Sequence, residues 1–362
     1  MLVDVIQAKS STVQIEVKAQ GTVTPRTQTT LVSEVSGLII EVSTAFVAGG
    51  FFSRGDILVR IDDRNYRADV KRAQASVATA QISVTREAGL AAYALADWDR
   101  AKSILQSSKA ATDLALRKPQ MAEAIANLEF AEAELDKRLG DLDRTVIRAP
   151  YDGLVREKRA DIGQFVAAGT QLAVTFAIDI AEVRLPLPDR ELPYLDLQDE
   201  VLASGSGPLV VLTAEIGGVV NTWRGHIVRT EGVFDERSRV LYVVAQITDP
   251  YNRHQQNWSY PLRIGTFVQA TIKGRMVDNI IRLPRRVLRS GDEVWTVNSE
   301  NELVPNKVQL LRADEDLIYV SGGIRENQLV CLTILDNPLP GTRVRFEDPT
   351  ELNLGMSANG ID

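Results

Sequence analysis

Asp63-Arg-Asn-Tyr-Arg-Ala-Asp-Val-Lys-Arg-Ala-Gln-Ala-Ser-Val77 opens a stretch, running on to Arg144, whose reading decides the fold. Taken every seventh residue, Val70, Val77, Val84, Ala91, Trp98 and Leu105 form one series. Tyr66, Ala73, Ala80, Glu87, Ala94 and Ala101 form a second, interleaved at alternating steps of four and three. That period is the a/d seam of a coiled coil. The second half of the stretch repeats it, with Leu114, Met121, Leu128, Leu135 and Leu142 alternating with Arg117, Ala124, Ala131 and Arg138. Both halves set alanine where the partner offers a large residue, so two helices can approach closely and interdigitate.

Between them, Gln106-Ser-Ser-Lys-Ala-Ala-Thr-Asp113 interrupts the seam with small polar residues, and Thr112 or Asp113 is suited to cap a new helix. The chain is therefore expected to turn back, giving an antiparallel hairpin over residues 63–144. About 43 residues in the first helix at roughly 1.5 Å each make an arm of about 64 Å, longer than a compact domain needs. Pro119 is expected inside the second helix, where it would kink it or delay its regular start. Residues turned outward, such as Lys71, Arg72, Glu129 and Asp136, are charged, and no third apolar stripe offers itself for packing on a body.

The hairpin interrupts an internal repeat. Before it come Leu38-Ile-Ile-Glu-Val42, Gly49-Gly-Phe-Phe-Ser-Arg-Gly55 and Asp56-Ile-Leu-Val-Arg-Ile-Asp62. After it come Leu154-Val-Arg-Glu-Lys158, Asp161-Ile-Gly-Gln-Phe-Val-Ala-Ala-Gly169 and Thr170-Gln-Leu-Ala-Val-Thr-Phe176. Gly37 answers Gly153, Phe52 answers Phe165 or Val166, Gly55 answers Gly169 and Asp62 answers Asp179, with a two-residue difference in the loop between. Neither half is large enough to bury a core by itself, so the two are expected to pair into one flattened β-sandwich over 28–62 and 145–177, with turns at Gly37, Gly50, Gly55, Gly153, Gly163 and Gly169.

Val35-Ser-Gly-Leu-Ile-Ile-Glu-Val42, the coiled-coil hairpin and Thr145-Val-Ile-Arg-Ala-Pro-Tyr-Asp-Gly-Leu-Val155 together resemble the periplasmic adaptor subunits, or membrane fusion proteins, of tripartite efflux pumps. Within the HlyD-like family, the likeness is greatest to adaptors serving resistance-nodulation-division (RND) transporters. The resemblance implies four modules: a membrane-proximal β domain (1–24 plus 276–347), a small β-barrel (180–273), the lipoyl/biotinyl-like sandwich and the hairpin. Residues 348–362 are expected to be a flexible tail. The implied fold class is mainly β with a long antiparallel α-helical hairpin, in an elongated chain of several modules.

What the resemblance implies about function is a non-enzymatic bridge between an inner-membrane RND transporter and a TolC-type outer-membrane channel, assembled as a homo-oligomer, a trimer or a hexamer. The hairpin tip would meet the channel through Leu105, Ser107, Ser108, Lys109, Ala110, Ala111 and Thr112. Many relatives place Arg, Leu and Ser there at steps of four and seven. Counting from Arg100, this chain has Ile104 and Ala111, a partial match that bears on which channel is used. Two other readings stand beside this one, an adaptor for an ATP-driven or secretion-type exporter and a periplasmic ligand-binding module. Biotinyl and lipoyl carriers share the half-motifs, but their modifiable lysine sits at the turn that 80-odd residues of hairpin replace here.

The remaining residues supply strands and little chemistry. Val13, Ile15 and Val17 alternate with Gln14, Glu16 and Lys18, a half-buried strand. Leu209–Ile216, Thr222–Val228, Val240–Ile247 and Gly265–Ile272 have the spacing of a small antiparallel barrel. His226 and His254 are the two histidines and lie on different elements, so no metal site or cofactor is expected. Cys331 is alone, in an apolar run, and reads as a small buried hydrophobe. No nucleophile elbow, phosphate-binding loop or metalloprotease motif is present. A formal net charge of -7 gives nucleic acid no purchase. No run approaches the length of a membrane span, and the chain begins without a recognisable signal peptide. The expected location is the periplasm at the inner membrane, with the native signal or anchor absent from this chain.

Overall fold

A computed structural model describes residues 1–105, 113–198, 202, 205, 207–253, 258–289, 291–335 and 338–346. The fold is mainly β with one long helical arm. The chain divides into two compact units, Met1–Gly21 with Arg184–Gln246 and Phe267–Asp362, and Thr22–Val183 with Ile247–Thr266.

In the first unit, the strands Leu209–Ile216 and Val219–Phe234 form an antiparallel hairpin in which Leu212 faces Trp223. Its two-residue turn is Gly217-Gly218, both with positive φ (62° and 80°), the backbone that a tight hairpin turn demands. The other edge of Leu209–Ile216 pairs with the long strand Phe267–Pro284, Leu212 facing Ala270. Alternation buries Leu212, Trp223, Ile227 and Ile272 completely. Phe267–Pro284 is 18 residues long and continues unbroken past position 273, so one strand serves both the barrel wall and the sheet beyond it. There it pairs with Leu317–Gly322, Ile281 facing Val320.

Val5–Gln7 pairs with Leu329–Cys331, which pairs with Glu293–Val297 and so with Leu303–Lys307. Ile6, Leu283, Val287, Val294, Ile318 and Val330 form the core behind these strands. Within the strand Ser10–Pro25, Val13, Ile15 and Val17 are buried and the residues between them are exposed. Cys331 is buried, and burial pushes its thiol pKa up.

The second unit holds a sandwich of two four-stranded sheets. One runs in the order Gln28–Val32, Gln171–Ala177, Gly153–Lys158, Phe51–Phe52, and the other Val146–Arg148, Ile57–Ile61, Gly37–Val42, Phe165–Val166. Each sheet takes strands from both halves of the repeat, because a half alone has too little apolar surface to close a core. Ile39, Phe46, Leu58 and Ile61 from the first half thereby share one core with Val155, Val166 and Leu172 from the second. Inserted between the halves are helix α1, Arg64–Leu105, and helix α2, Lys118–Asp143.

Candidate docking site: the helical arm and the sandwich that holds it

The arm is tied to the sandwich at its root. The Tyr66 hydroxyl donates to the Ser36 carbonyl at 2.7 Å, and Arg144 reaches Glu34 at 2.9 Å. Thr145 is fully buried where the chain returns, and its carbonyl accepts the Ile61 N–H at 2.8 Å. At the start of α1, the Asp62 carboxylate accepts the Arg64 N–H and its guanidinium, with a shortest contact of 2.6 Å. Those bonds hold the Asp62 pKa down at about 2.

Above the root the two helices meet along the heptad positions. Val70, Ala73, Ala124 and Ala131 are buried. Val77, Val84, Trp98, Met121, Leu128, Leu135 and Leu142 are half-buried, whereas their neighbours one step outward are exposed. Two polar seam positions bond across the helices, Glu87 accepting from the Arg117 guanidinium at 2.6 Å with side chains 14% and 34% exposed. Charge-assisted bonds of this kind fix register more than they add stability.

Leu114 departs from the series. It is 67% exposed and lies in the turn before α2 rather than on the seam. The second helix begins at Lys118, after Arg117 has taken a left-handed backbone (φ 55°), and not after Thr112 or Asp113. Pro119 consequently sits in the first turn, where its missing N–H costs nothing and its fixed φ suits the helix, so it starts α2 rather than kinking it.

Of the tip residues, Arg100 lies exposed on α1, and Ile104 and Leu105 close that helix. Ser107, Ser108, Lys109, Ala110, Ala111 and Thr112 lie outside the described residues.

The sandwich turns are arranged about an approximate two-fold relation. Gly37 is paired with Val166, and Gly153 with Phe52, so each half's glycine opposes the other half's large apolar residue. A side chain at Gly153 would meet the Phe176 carbonyl at 2.6 Å and the Phe52 ring at 2.8 Å, which is why only glycine fits. Gly55 and Gly169 match at φ 87° and 89°. Gly163 (φ 81°) matches Gly49 (φ 83°), and Gly50 is not the left-handed residue. Matching backbone bonds follow, Gly49 N–H to Val155 O and Gly163 N–H to Ile39 O, both 2.8 Å. By the same register the position equivalent to Asp62 in the second half is Phe176 and not Asp179, because the two-residue difference is used up before Gly49. Asp179 instead pairs with Arg26 at 2.6 Å.

Residues 27–179, the sandwich and the arm inserted in it, match the family model "RND MFP, barrel-sandwich hybrid domain". Two curated relatives align with most of the chain. One is the multidrug resistance protein MdtA of Xenorhabdus bovienii, 25% identical over 99% of this chain and 83% of its own length. The other is MdtA of Proteus mirabilis, 23% identical over 91% and 77%. The chain carries the barrel-sandwich hybrid domain of that family model over residues 27–179. Among solved structures, MacA from Actinobacillus actinomycetemcomitans superposes with a TM-score of 0.66 over 91% of this chain and 99% of its own, at 17% identity, a likeness of fold.

One contact of the sandwich has no counterpart in the repeat. Tyr251 packs edge-on against Phe51, with ring centres 5.7 Å apart, and Arg253 lies 4.6 Å over the same ring. The equivalent aromatic of the second half, Phe165, is 68% exposed. Tyr251 and Phe51 are some 200 residues apart, so no local pattern marks them as partners; the one hint is a long connection rich in aromatics, Tyr251, Trp258 and Tyr260. Among the described residues, no helix is long and apolar enough to cross a membrane.

Proposed function

We propose that this chain is a membrane fusion protein, a non-enzymatic periplasmic adaptor linking an inner-membrane RND transporter to a TolC-type outer-membrane channel for the export of small molecules. The observation that carries this reading is the RND-type hybrid domain over residues 27–179, with the arm inserted between its halves. A 42-residue helix spans about 63 Å, a reach that catalysis does not need and a bridge does. The relatives' name, multidrug resistance protein, supports small molecules as the cargo class.

In this reading Arg100, Ile104, Leu105 and the segment 107–112 meet the channel's helical ends. The barrel (180–273) and the membrane-proximal strands (1–24 and 276–347) face the transporter. Copies stand side by side at the periplasmic face of the inner membrane as a trimer or hexamer.

Single cysteines at Ser107 or Ser108, expressed with the genetically neighbouring transporter and a TolC-type channel, test it. Crosslinks to the channel in cells that export are the expected result. Export that proceeds with no crosslink at either position removes the docking model, and a neighbouring ATP-driven transporter in place of an RND one redirects the partner.

A further inference from the structure

The first unit holds a cleft of about 880 Å³, with all of its lining contributed by that unit. That is the size of a pocket for a small organic molecule. A row of directly paired residues crosses it, Arg282 opposite Tyr319 and Tyr319 opposite Arg312 on the strand Gln309–Ala313. Side chains paired in this way project from the same face of a sheet. The register slips at Leu311, between the pairs Leu310 with Val320 and Arg312 with Tyr319. Such a bulge re-aims side chains, and here it gives both Leu311 and Arg312 to the cleft.

Some of the polar groups in the cleft are already matched. The Arg312 side chain is only 16% exposed, and it donates to Asp314 at 2.6 Å and to Glu191 at 3.0 Å. Tyr194 donates to the Leu311 carbonyl at 2.8 Å. Burial, and after it the Asp314 carboxylate, push the Tyr319 hydroxyl pKa up, so that group stays neutral. Arg282 and Arg285 differ from these. Arg282 is half-buried, and among the described residues its guanidinium has neither an ion pair nor a hydrogen bond. Arg285 gives one N–H to the Asp314 carbonyl at 2.7 Å and has no carboxylate partner among the described residues. A guanidinium carries five N–H donors in a fixed fork, and the group that fits the fork is an oxyanion.

The rest of the lining narrows the class of anion. Leu311, Tyr194 and Tyr319 pack against the buried Val13, Ile15 and Ile280, so the floor of the cleft is apolar and aromatic. Leu317, two residues before Tyr319 on the same strand, extends that floor. On the rim, Glu315 and Asp316 are exposed. Two negative charges near the arginines disfavour a phosphate dianion relative to a single carboxylate. We infer that the cleft binds an amphipathic monocarboxylate, its head held by Arg282 and Arg285 and its apolar body laid against Leu311, Leu317 and the two tyrosine rings.

Calorimetric titration of the chain with decanoate below its micellar concentration tests this, at about pH 7.5, where the carboxylate is ionised, and about 0.1 M salt. One decanoate binds per chain. Arg282→Gln and Arg285→Gln each weaken binding at least about tenfold, the loss expected for a charge-assisted hydrogen bond, with the melting midpoint unchanged. Arg282→Lys keeps the charge without the fork and falls between wild type and Arg282→Gln. Acetate leaves the floor uncovered and binds at least about a hundredfold more weakly than decanoate. Decyl phosphate binds at least about threefold more weakly, and decyltrimethylammonium does not compete. The ligand series uses the unaltered chain, so it decides the class whether or not a variant folds. Absence of decanoate binding overturns the inference, as does binding that both glutamine variants leave intact, competition by the ammonium compound or tighter binding of the phosphate. Phosphatidylcholine vesicles with and without oleic acid separate the two sources of such a ligand. Decanoate binding without flotation supports a dissolved carboxylate, and flotation that requires both oleic acid and Arg282 supports one presented by a membrane. The channel crosslinks bear on the adaptor function alone and leave this cleft untouched.

Discussion

The sandwich and the arm are built on opposite economies of burial. In the sandwich, Ile39, Leu58, Val155 and Leu172 are wholly covered, because strands from both halves close on them from two sides. In the arm, Val77, Val84, Leu128 and Leu135 stay half-buried, since a two-helix seam covers each side chain from one direction only. Helical stability comes mostly from packing of an apolar face, and this seam packs one side of each helix only. The arm therefore depends on its root, and damage to the sandwich reaches the arm while damage to the arm stops short of the sandwich.

The sharpest test of that asymmetry is Leu58→Ala. Leu58 is fully buried, and the truncation leaves a cavity costing roughly 2–5 kcal/mol. Urea unfolding should show sandwich and helical signals lost together at a lower midpoint. Helices that persist after the sandwich has unfolded would contradict the dependence.

Leu128→Asp probes the other direction. A carboxylate set into the seam without a partner should cost about 1–3 kcal/mol and lower helicity. The sandwich transition should hold its midpoint, and an unchanged helical melt would remove Leu128 from the seam.

Smaller still is the effect of Glu87→Gln, which deprives Arg117 of its counter-charge at the level where α2 begins. About 0.5–1 kcal/mol is expected for a partly exposed pair. A double-mutant cycle with Arg117→Gln should give a coupling of that size. No coupling would mean that the register rests on the apolar seam alone.

Periodic features are legible in the sequence. The seam from Val70 to Trp98 and the interlocking of two half-motifs follow from spacing, because a repeat of 3.5 and a repeated Gly pattern each admit few three-dimensional solutions. Features resting on one backbone conformation are not. Leu114 continues the seven-residue count perfectly, yet Arg117 breaks the helix by turning left-handed. Pro119 was the available clue, a residue at ease in the first turn and nowhere later. Gly49 and Gly50 are adjacent, and a sequence does not say which of two glycines takes positive φ. For the candidate site itself, the root contacts Tyr66–Ser36 and Arg144–Glu34 depend on the insertion bringing distant segments together, which no spacing encodes.

Asp62 lies where the two regions join and carries the smallest expected effect. The Arg64 guanidinium and N–H hold its pKa at about 2, below the ordinary 3.8. A carboxylate whose folded pKa is depressed contributes stability in full above its unfolded value and loses it as pH falls through the folded one. Wild type should therefore exceed Asp62→Asn in stability at neutral pH, and the gap should close between about pH 4 and pH 2. Because Asp62 caps the first turn of α1, the difference belongs in the helical signal near the root rather than in the sandwich. Arg64→Gln should raise the Asp62 midpoint, followed by carbon-13 NMR of its carboxyl, toward the ordinary value. A midpoint that stays near 2 without the guanidinium would assign the depression to the backbone bond alone, and the arm's first turn would then owe its anchoring to helix geometry rather than to the ion pair.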